Sequence, residues 1–140
     1  MPRVAALAAL CLVLVSGCAS SGPQSLDVGY STSEVEMNAV TVDFGTVQCD
    51  DFGGSDSWSI KSDETESYPE ERPTFRATMI GRVTGVSLLI GDGLIFVSSK
   101  PFTITSDGVT FDDQPGTVSR VSGSESVIDA DAVLNGTVSC

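Results

Sequence analysis

The residues of this chain that could carry out chemistry are few, and four cysteines stand first among them. They are Cys11, Cys18, Cys49 and Cys140 in a chain of 140 residues. A thiolate is a nucleophile and a metal ligand, and two thiols can be oxidised to a disulfide. The chain contains no histidine, so the usual base that activates a serine or cysteine nucleophile is missing. The chemistry to consider is therefore that of thiols and carboxylates.

Cys18 follows a stretch that is typical of the signal preceding a lipidated cysteine in bacteria. Arg3 precedes an apolar run from Val4 to Val15, and Ser16 and Gly17 supply small residues before Cys18. The run is too short to span a bilayer as a helix, which needs roughly 20 apolar residues. We therefore interpret residues 1–17 as a signal peptide and Cys18 as the lipidated first residue of the mature chain.

Two other interpretations of this segment stay open. Residues 1–17 could form a buried core helix, or an ordinary signal could be cleaved near Cys18 without lipidation. The segment also departs from the usual pattern, because Val15 stands where leucine is common and Arg3 is the only charge before the apolar run. Two or three acyl chains on Cys18 would hold the protein essentially permanently on the extracytoplasmic face of the membrane. The membrane, reached through that lipid, is the first expected partner.

Cys49 and Cys140 are the thiols that remain if residues 1–17 are removed and Cys18 is acylated. An even pair of cysteines in an exported protein favours a disulfide, because that compartment permits oxidation. The alternatives are a two-cysteine metal site or a reactive thiol. A zinc site would lack histidine, which commonly completes such a ligand set.

The remaining ionisable residues give no catalytic pattern. Asp50-Asp51 and Asp112-Asp113 are adjacent carboxylates, whereas glycoside hydrolysis needs two carboxyl groups facing each other across a cleft. Together with Asp107 they could supply oxygen ligands to calcium, but nothing matches the spacing of an EF-hand. Lys61 and Lys100 are the lysines, and neither lies in a Ser-x-x-Lys motif. We therefore expect no enzymatic activity, no cofactor and no metal.

The charge of the chain bears on its partners. The formal net charge is −12, and removal of residues 1–17, which contain one base and no acid, makes it −13. Nucleic-acid binding requires clustered Lys and Arg to neutralise phosphates, so nucleic acid is excluded as a partner.

The chain divides into three parts on composition. Residues 1–17 are the signal, and residues 18–34, rich in Ser and Gly, are predicted to form a flexible tether. Residues 35–140 are predicted to form one β-rich domain. Val40, Val42 and Phe44 alternate with polar residues as in a half-buried strand that can continue towards Cys49.

Hairpin signals dominate the middle of this domain. We predict strands at Thr74–Ile80, Val83–Ile90 and Leu94–Ser98, the last two joined by a turn at residues 91–93. Asp107-Gly108 predicts a two-residue turn that pairs Ile104 with Phe111 and places the apolar residues of 102–111 on one face. An exposed acidic loop is predicted over residues 62–73. Residues 124–134 fit either a short helix or a broken strand.

Several short stretches resemble the mycobacterial nineteen-kilodalton lipoprotein antigen (LpqH-like) family. They are the Cys18 signal, the Ser/Gly/Thr-rich segment after it, Val47-Gln48-Cys49 at the end of a strand, and the closing Gly136-Thr137-Val138-Ser139-Cys140. The resemblance implies a cell-envelope lipoprotein and antigen whose acylated N-terminus is sensed by innate immune receptors. It carries over no catalytic residue, and the acidic segment 62–73 departs from the family's pattern.

These observations predict a mostly β domain, an antiparallel sandwich or curled sheet with one disulfide and at most one short helix. The first functional hypothesis is a non-enzymatic envelope lipoprotein that displays an interaction surface to envelope components or host receptors. The second is a carrier or binding module for an apolar envelope molecule. Its proposed lining, for which ordinary core is the simpler interpretation, comprises Phe75, Leu88, Ile90, Phe96 and Phe102.

Overall fold

A computed structural model describes residues 22–33, 36, 38–54, 56–62, 72–121 and 126–140 of the chain. These residues form ten strands and no helix. The strands are β1 (Gln24–Tyr30), β2 (Asn38–Gly45), β3 (Val47–Asp51), β4 (Ser57–Ser62), β5 (Thr74–Ile80), β6 (Val83–Gly91), β7 (Leu94–Ser98), β8 (Ile104–Thr105), β9 (Gly108–Arg120) and β10 (Ser126–Ser139). The predicted signal peptide at 1–17, Cys18 and residues 63–71 of the acidic segment lie outside the described residues.

All ten strands belong to one antiparallel sheet that curls until its edges almost meet. The order is β2-β1-β10-β9-β7-β6-β5-β4-β3, with β8 paired only to β9. The two edge strands, β2 and β3, are separated in the chain by Thr46 alone. Because a single residue links the two edges, the sheet must bend back on itself at this point. The predicted class, a mostly β curled antiparallel sheet with one disulfide, is confirmed.

The concave face of the sheet holds the core, as period-two alternation requires. Strands such as β1 and β5 send every second side chain inward: Leu26 and Val28 from β1, and Phe75, Ala77 and Met79 from β5. Three ring contacts connect four phenylalanines in and beside this core. Phe44 stacks on Phe75, Phe75 meets Phe111 edge to face, and Phe111 meets Phe102 in the same way, with centroids 4.8, 6.3 and 5.3 Å apart.

Two predicted connections can be compared directly with the structure. The turn between β6 and β7 is confirmed: Gly91 pairs with Leu94, and Asp92 and Gly93 both have positive φ, as in a type I′ turn. The β8–β9 turn lies one residue earlier than predicted. Ile104 pairs with Val109, so the turn residues are Ser106 and Asp107.

The reason for this difference is the position of Gly108. Its φ is +123°, and a Cβ there would overlap the carbonyl oxygen of Val138 on β10. Gly108 is thus required by the close approach of β10 and not as the second residue of the turn. The register differs from the predicted one by two residues, which leaves every side chain on its predicted face. Ile104, Val109 and Phe111 are accordingly buried.

The predicted tether over 18–34 is wrong for residues 24–30, and the domain does not begin at 35. These residues form β1, which lies between β2 and β10 and is paired on both sides. Leu26, Val28 and Tyr30 alternate along β1 and are all buried. Their burial outweighs the Ser/Gly-rich composition around them, because an alternating apolar set gains free energy when it joins an existing core.

The ambiguous segment at 124–134 is strand wherever it is described. Residues 126–134 belong to β10, which pairs with β9 through three register irregularities. Those irregularities break the simple alternation and explain why the sequence pattern fits two structures. The described residues also contain no helix that is long and apolar enough to cross a membrane.

Candidate functional site

The Cys49–Cys140 disulfide closes one end of the curled sheet. Cys49 lies in β3 at one edge, and Cys140 directly follows β10; their Cα atoms are 5.8 Å apart. No ladder pairs β3 with β10, so the covalent bond links two strands that are not neighbours in the sheet. We call this end of the sheet the disulfide end.

Backbone groups near Cys140 hold the C-terminus in place beside the bond. The Cys140 amide donates to the carbonyl oxygen of Asp107 at 3.0 Å. The Ser139 amide donates to the side-chain oxygen of Gln24 at 3.3 Å. The first residue of β1, the β8–β9 turn and the last residue of the chain are therefore neighbours at the disulfide end.

An open groove of about 550 Å³ lies beside β8 and β9, next to the disulfide end. We call it the threonine groove. Its lining side chains include four threonines, two carboxylates, an amide and a ring: Thr103, Thr105, Thr110, Thr137, Asp107, Asp112, Gln114 and Phe102. The hydroxyl groups of Thr110 and Thr137 are 3.0 Å apart, on neighbouring strands.

A buried polar network positions the segment that forms one wall of the threonine groove. The Gln114 amide nitrogen donates to the Lys100 carbonyl oxygen at 2.9 Å and to the Ser98 hydroxyl at 3.3 Å. The Ser98 hydroxyl donates to the Pro115 carbonyl oxygen and accepts from the Lys100 amide at 3.2 Å. Among the described residues, every buried side-chain nitrogen or oxygen atom has a hydrogen-bond partner.

The groups that line the threonine groove can form hydrogen bonds to a polar ligand. Hydroxyl and carboxylate oxygens can accept from a hydroxyl-rich molecule, and the half-buried Phe102 ring offers an apolar surface beside them. No histidine exists in the chain to activate a threonine hydroxyl. The one hydroxyl–hydroxyl contact in the described lining pairs two threonines, neither of which is a base.

The carboxylate pairs weighed as calcium ligands occupy separate strands. Asp50 and Asp51 end β3, whereas Asp112 and Asp113 lie within β9. Two of these carboxylates are already hydrogen-bonded: Asp51 accepts from the Gly53 amide, and Asp113 accepts from the side chain of Asn135. Within the described ranges, no three acidic or cysteine side chains are grouped so that they could hold a metal ion.

The five residues considered for an apolar carrier site do not form one lining. Phe75, Leu88 and Phe96 are almost fully buried in the core, and Ile90 and Phe102 pack against it from the side. Only Phe102 lies along the threonine groove. The interpretation of the first three as ordinary core residues is the one that their burial supports.

The sequence patterns do not predict the threonine groove, although part of its signal is present. Alternation places Thr103, Thr105 and Thr110 on the polar face of a hairpin and gives them no role. Gln114 shows no sequence pattern that predicts a role, because its burial depends on Ser98 and Lys100, which supply its hydrogen-bond partners. The disulfide partners Cys49 and Cys140 are predicted directly from the residue count, and the structure joins them.

Comparison with known proteins adds no assignment. No family model matches the chain, and neither the curated proteins nor the solved structures contain a match to it.

Proposed function

We propose that this protein is a non-enzymatic lipoprotein of a cell envelope, anchored through Cys18 on the extracytoplasmic face, that presents its β domain as an interaction surface. The observation that carries the proposal is the pairing of Cys49 with Cys140. A disulfide that joins the C-terminus to an edge strand suits an oxidising compartment. It leaves Cys18, at the end of the apolar run, as the cysteine available for acylation in the mature chain.

The described domain supports an interaction role in preference to catalysis. Among its described residues every buried side-chain nitrogen or oxygen atom has a hydrogen-bond partner, and the two pairs of adjacent carboxylates lie on different strands. The resemblance to the mycobacterial nineteen-kilodalton lipoprotein antigen family favours the same function. On that likeness, the acylated N-terminus itself is the part that innate immune receptors would sense.

The anchor is tested by expressing the full chain in a bacterium that processes lipoproteins. We expect the wild-type protein to partition with membranes and its N-terminal peptide to carry the mass of acyl chains on Cys18. The Cys18→Ala variant should remain unprocessed or be released. Cys11→Ala is the matched control, since it removes a cysteine from the apolar run and should leave anchoring intact. A mature Cys18→Ala protein that still sedimented with membranes would overturn the proposal.

A second candidate function is the binding of an envelope molecule, and the threonine groove favours it. The groove's hydroxyl and carboxylate oxygens beside the Phe102 ring suit a neutral, hydroxyl-rich ligand. Native mass spectrometry of protein taken from membranes tests whether a molecule beyond the acyl chains copurifies. A bound molecule that is lost from a Thr110→Lys variant and kept by a Ser87→Lys variant would support this function. This function would be contradicted if no molecule copurified with the wild-type protein and if added envelope glycans did not bind to it.

A further inference from the structure

Three large apolar side chains are exposed close together at the disulfide end of the sheet. Phe52, Ile80 and Val83 are 63%, 59% and 75% exposed. The Phe52 amide donates to the Ser57 carbonyl oxygen, Ser57 pairs with Ile80, and Ile80 pairs with Val83. These residues therefore form one row that starts just past the end of β3 and crosses the ends of β4, β5 and β6, roughly 14 Å long at about 4.8 Å for each step between strands. We call Phe52, Ile80 and Val83 the rim patch.

The rim patch lies at the end of the sheet where the N-terminal segment enters it. The side-chain oxygen of Gln24, the first residue of β1, accepts a hydrogen bond from the Ser139 amide, and Ser139 directly precedes Cys140. Cys140 is bonded to Cys49, and Phe52 follows Cys49 by three residues. A short path of contacts thus connects the start of β1 to the rim patch.

The length of chain before β1 limits how far this end can stand from a lipid on Cys18. Five residues, 19–23, separate Cys18 from Gln24. Six extended steps of the chain span at most about 20 Å. The 17-residue tether predicted from composition would have allowed the domain to stand further away. With β1 in the sheet, the disulfide end stays close to the bilayer.

The charges around the rim patch determine the kind of surface it fits. Arg82 lies in the turn between Ile80 and Val83, whereas Asp50, Asp51 and Asp56 border the row on the β3–β4 side. Together with the net charge of −13 for the mature chain, these acids oppose an anionic surface. Removal of the three apolar side chains from water remains favourable on a neutral one.

We propose that the rim patch rests on the outer surface of the bilayer to which Cys18 is attached, so that the domain is held in one orientation with its disulfide end towards neutral lipid headgroups. This inference rests on the proposed lipid anchor. The opposite end of the sheet, with Val127 at the start of β10, then faces away from the membrane. Val127 lies twelve residues before Ser139 on β10, which is roughly 40 Å along a strand.

The orientation is tested with the lipidated full-length protein in phosphatidylcholine vesicles whose acyl chains are brominated near the headgroup. The chain contains one tryptophan, Trp58, and the wild-type protein supplies its background fluorescence. We expect the added tryptophan of Phe52→Trp to lose at least half of its emission in brominated relative to unbrominated vesicles. The added tryptophan of Val127→Trp, an equally exposed position at the far end, should lose less than a tenth.

Each outcome decides between the orientation and the anchor beneath it. Protein that floats with the vesicles but shows no quenching at position 52, or equal quenching at positions 52 and 127, overturns the orientation and leaves the anchor intact. Protein that does not float with the vesicles overturns the anchor. The double substitution Ile80→Ser and Val83→Ser, introduced into Phe52→Trp, should reduce the quenching by half or more without changing flotation. Unchanged quenching in that variant would refute a role for the rim patch.

Discussion

At the scale of single residues, the packing of β9 against β10 depends on the absence of a side chain at Gly108. A Cβ at this position would overlap the Val138 carbonyl oxygen and approach the Cα of Ser139 at 3.0 Å. The positive φ of +123° adds backbone strain for any other residue. Val138 and Ser139 directly precede Cys140 in the chain, so a substitution that displaced them would also disturb Cys140.

Gly108→Ala should therefore destabilise the domain strongly, by about 3 kcal/mol or more in the free energy of unfolding. Gly85→Ala is the matched control, since Gly85 lies in β6, has no positive φ, and leaves open space within 4 Å of the position that a Cβ would take. We expect that control to change stability by no more than about 1 kcal/mol. Urea unfolding followed by tryptophan fluorescence measures both. Equal midpoints for the two variants would show that β10 can move aside.

Ser98 has a similar local importance because one hydroxyl serves three partners. It donates to the Pro115 carbonyl oxygen and accepts from the Lys100 amide and the Gln114 side chain, in a region that is buried or partly buried. Ser98→Ala should lower stability by about 1–3 kcal/mol, because it removes the hydrogen-bond partner of the Pro115 carbonyl and of the Lys100 amide. It should also speed amide hydrogen exchange at Lys100. Ser99→Ala, at the exposed neighbouring position, is the control, and an equal effect from it would contradict this account.

At the scale of elements, the local connections are predictable from sequence and the position of β1 is not. Asp92-Gly93 specifies its own turn through the conformations that these residues favour. β1 is held instead by partners far along the chain, as in the pairing of Asp27 with Asn135. The alternation of Leu26, Val28 and Tyr30 is present in the sequence, but the surrounding Ser, Gly and Pro indicate a tether. Local composition does not reveal that β2 and β10 leave room for a strand between them.

Because β1 is paired on both sides, the domain should tolerate N-terminal truncation up to the start of β1 but not beyond it. A chain that begins at residue 22 should fold cooperatively, whereas one that begins at residue 35 should not. The shorter chain loses both ladders of β1 and the buried side chains of Leu26, Val28 and Tyr30. Large buried side chains contribute about 1.5–3 kcal/mol each, which together approach the whole stability of a small domain. Circular dichroism and thermal unfolding of the two chains test this prediction. Equal melting curves would show that the domain folds without residues 24–30, as expected if they were only a tether.

The threonine groove is also a property of elements in combination. Its residues come from β8, β9, β10 and the segment after β7. Sequence analysis assigns the threonines of the hairpin to one face, because period-two alternation holds within a strand. It does not place Thr137 beside Thr110, since that contact depends on the pairing of β9 with β10.

At the scale of the whole molecule, two devices close the sheet. The bend at Gly45-Thr46 carries the chain from one edge strand to the other, and the disulfide joins β3 to the end of β10. The bend at Gly45-Thr46 is local and holds the edge strands β2 and β3 together at one point only. The second fixes the C-terminus, which would otherwise depend on hydrogen bonds to Asp107 and Gln24. Cysteine counting predicts the bond, but only the strand order shows that it links strands that do not pair with each other.

Loss of the disulfide should consequently weaken the domain as a whole. The bond spans 91 residues, and the chain-entropy argument gives about 4–5 kcal/mol for a loop of this size, with a smaller effect common in practice. We expect the variant with Cys49→Ser and Cys140→Ser to lose about 2–5 kcal/mol and to unfold with a larger denaturant dependence, because its unfolded chain is less constrained.

Reduction of the wild-type domain should reproduce the unfolding curve of this double variant, while the variant itself should not respond to reductant. That comparison separates the effect of the bond from any effect of the serine side chains. If reduction shifted the free energy of unfolding by less than about 1 kcal/mol, well below the chain-entropy value, the ladders and the bend at residues 45–46 would suffice to close the sheet. The role of Cys49 and Cys140 would then be confined to holding the last residue of the chain beside the start of β1.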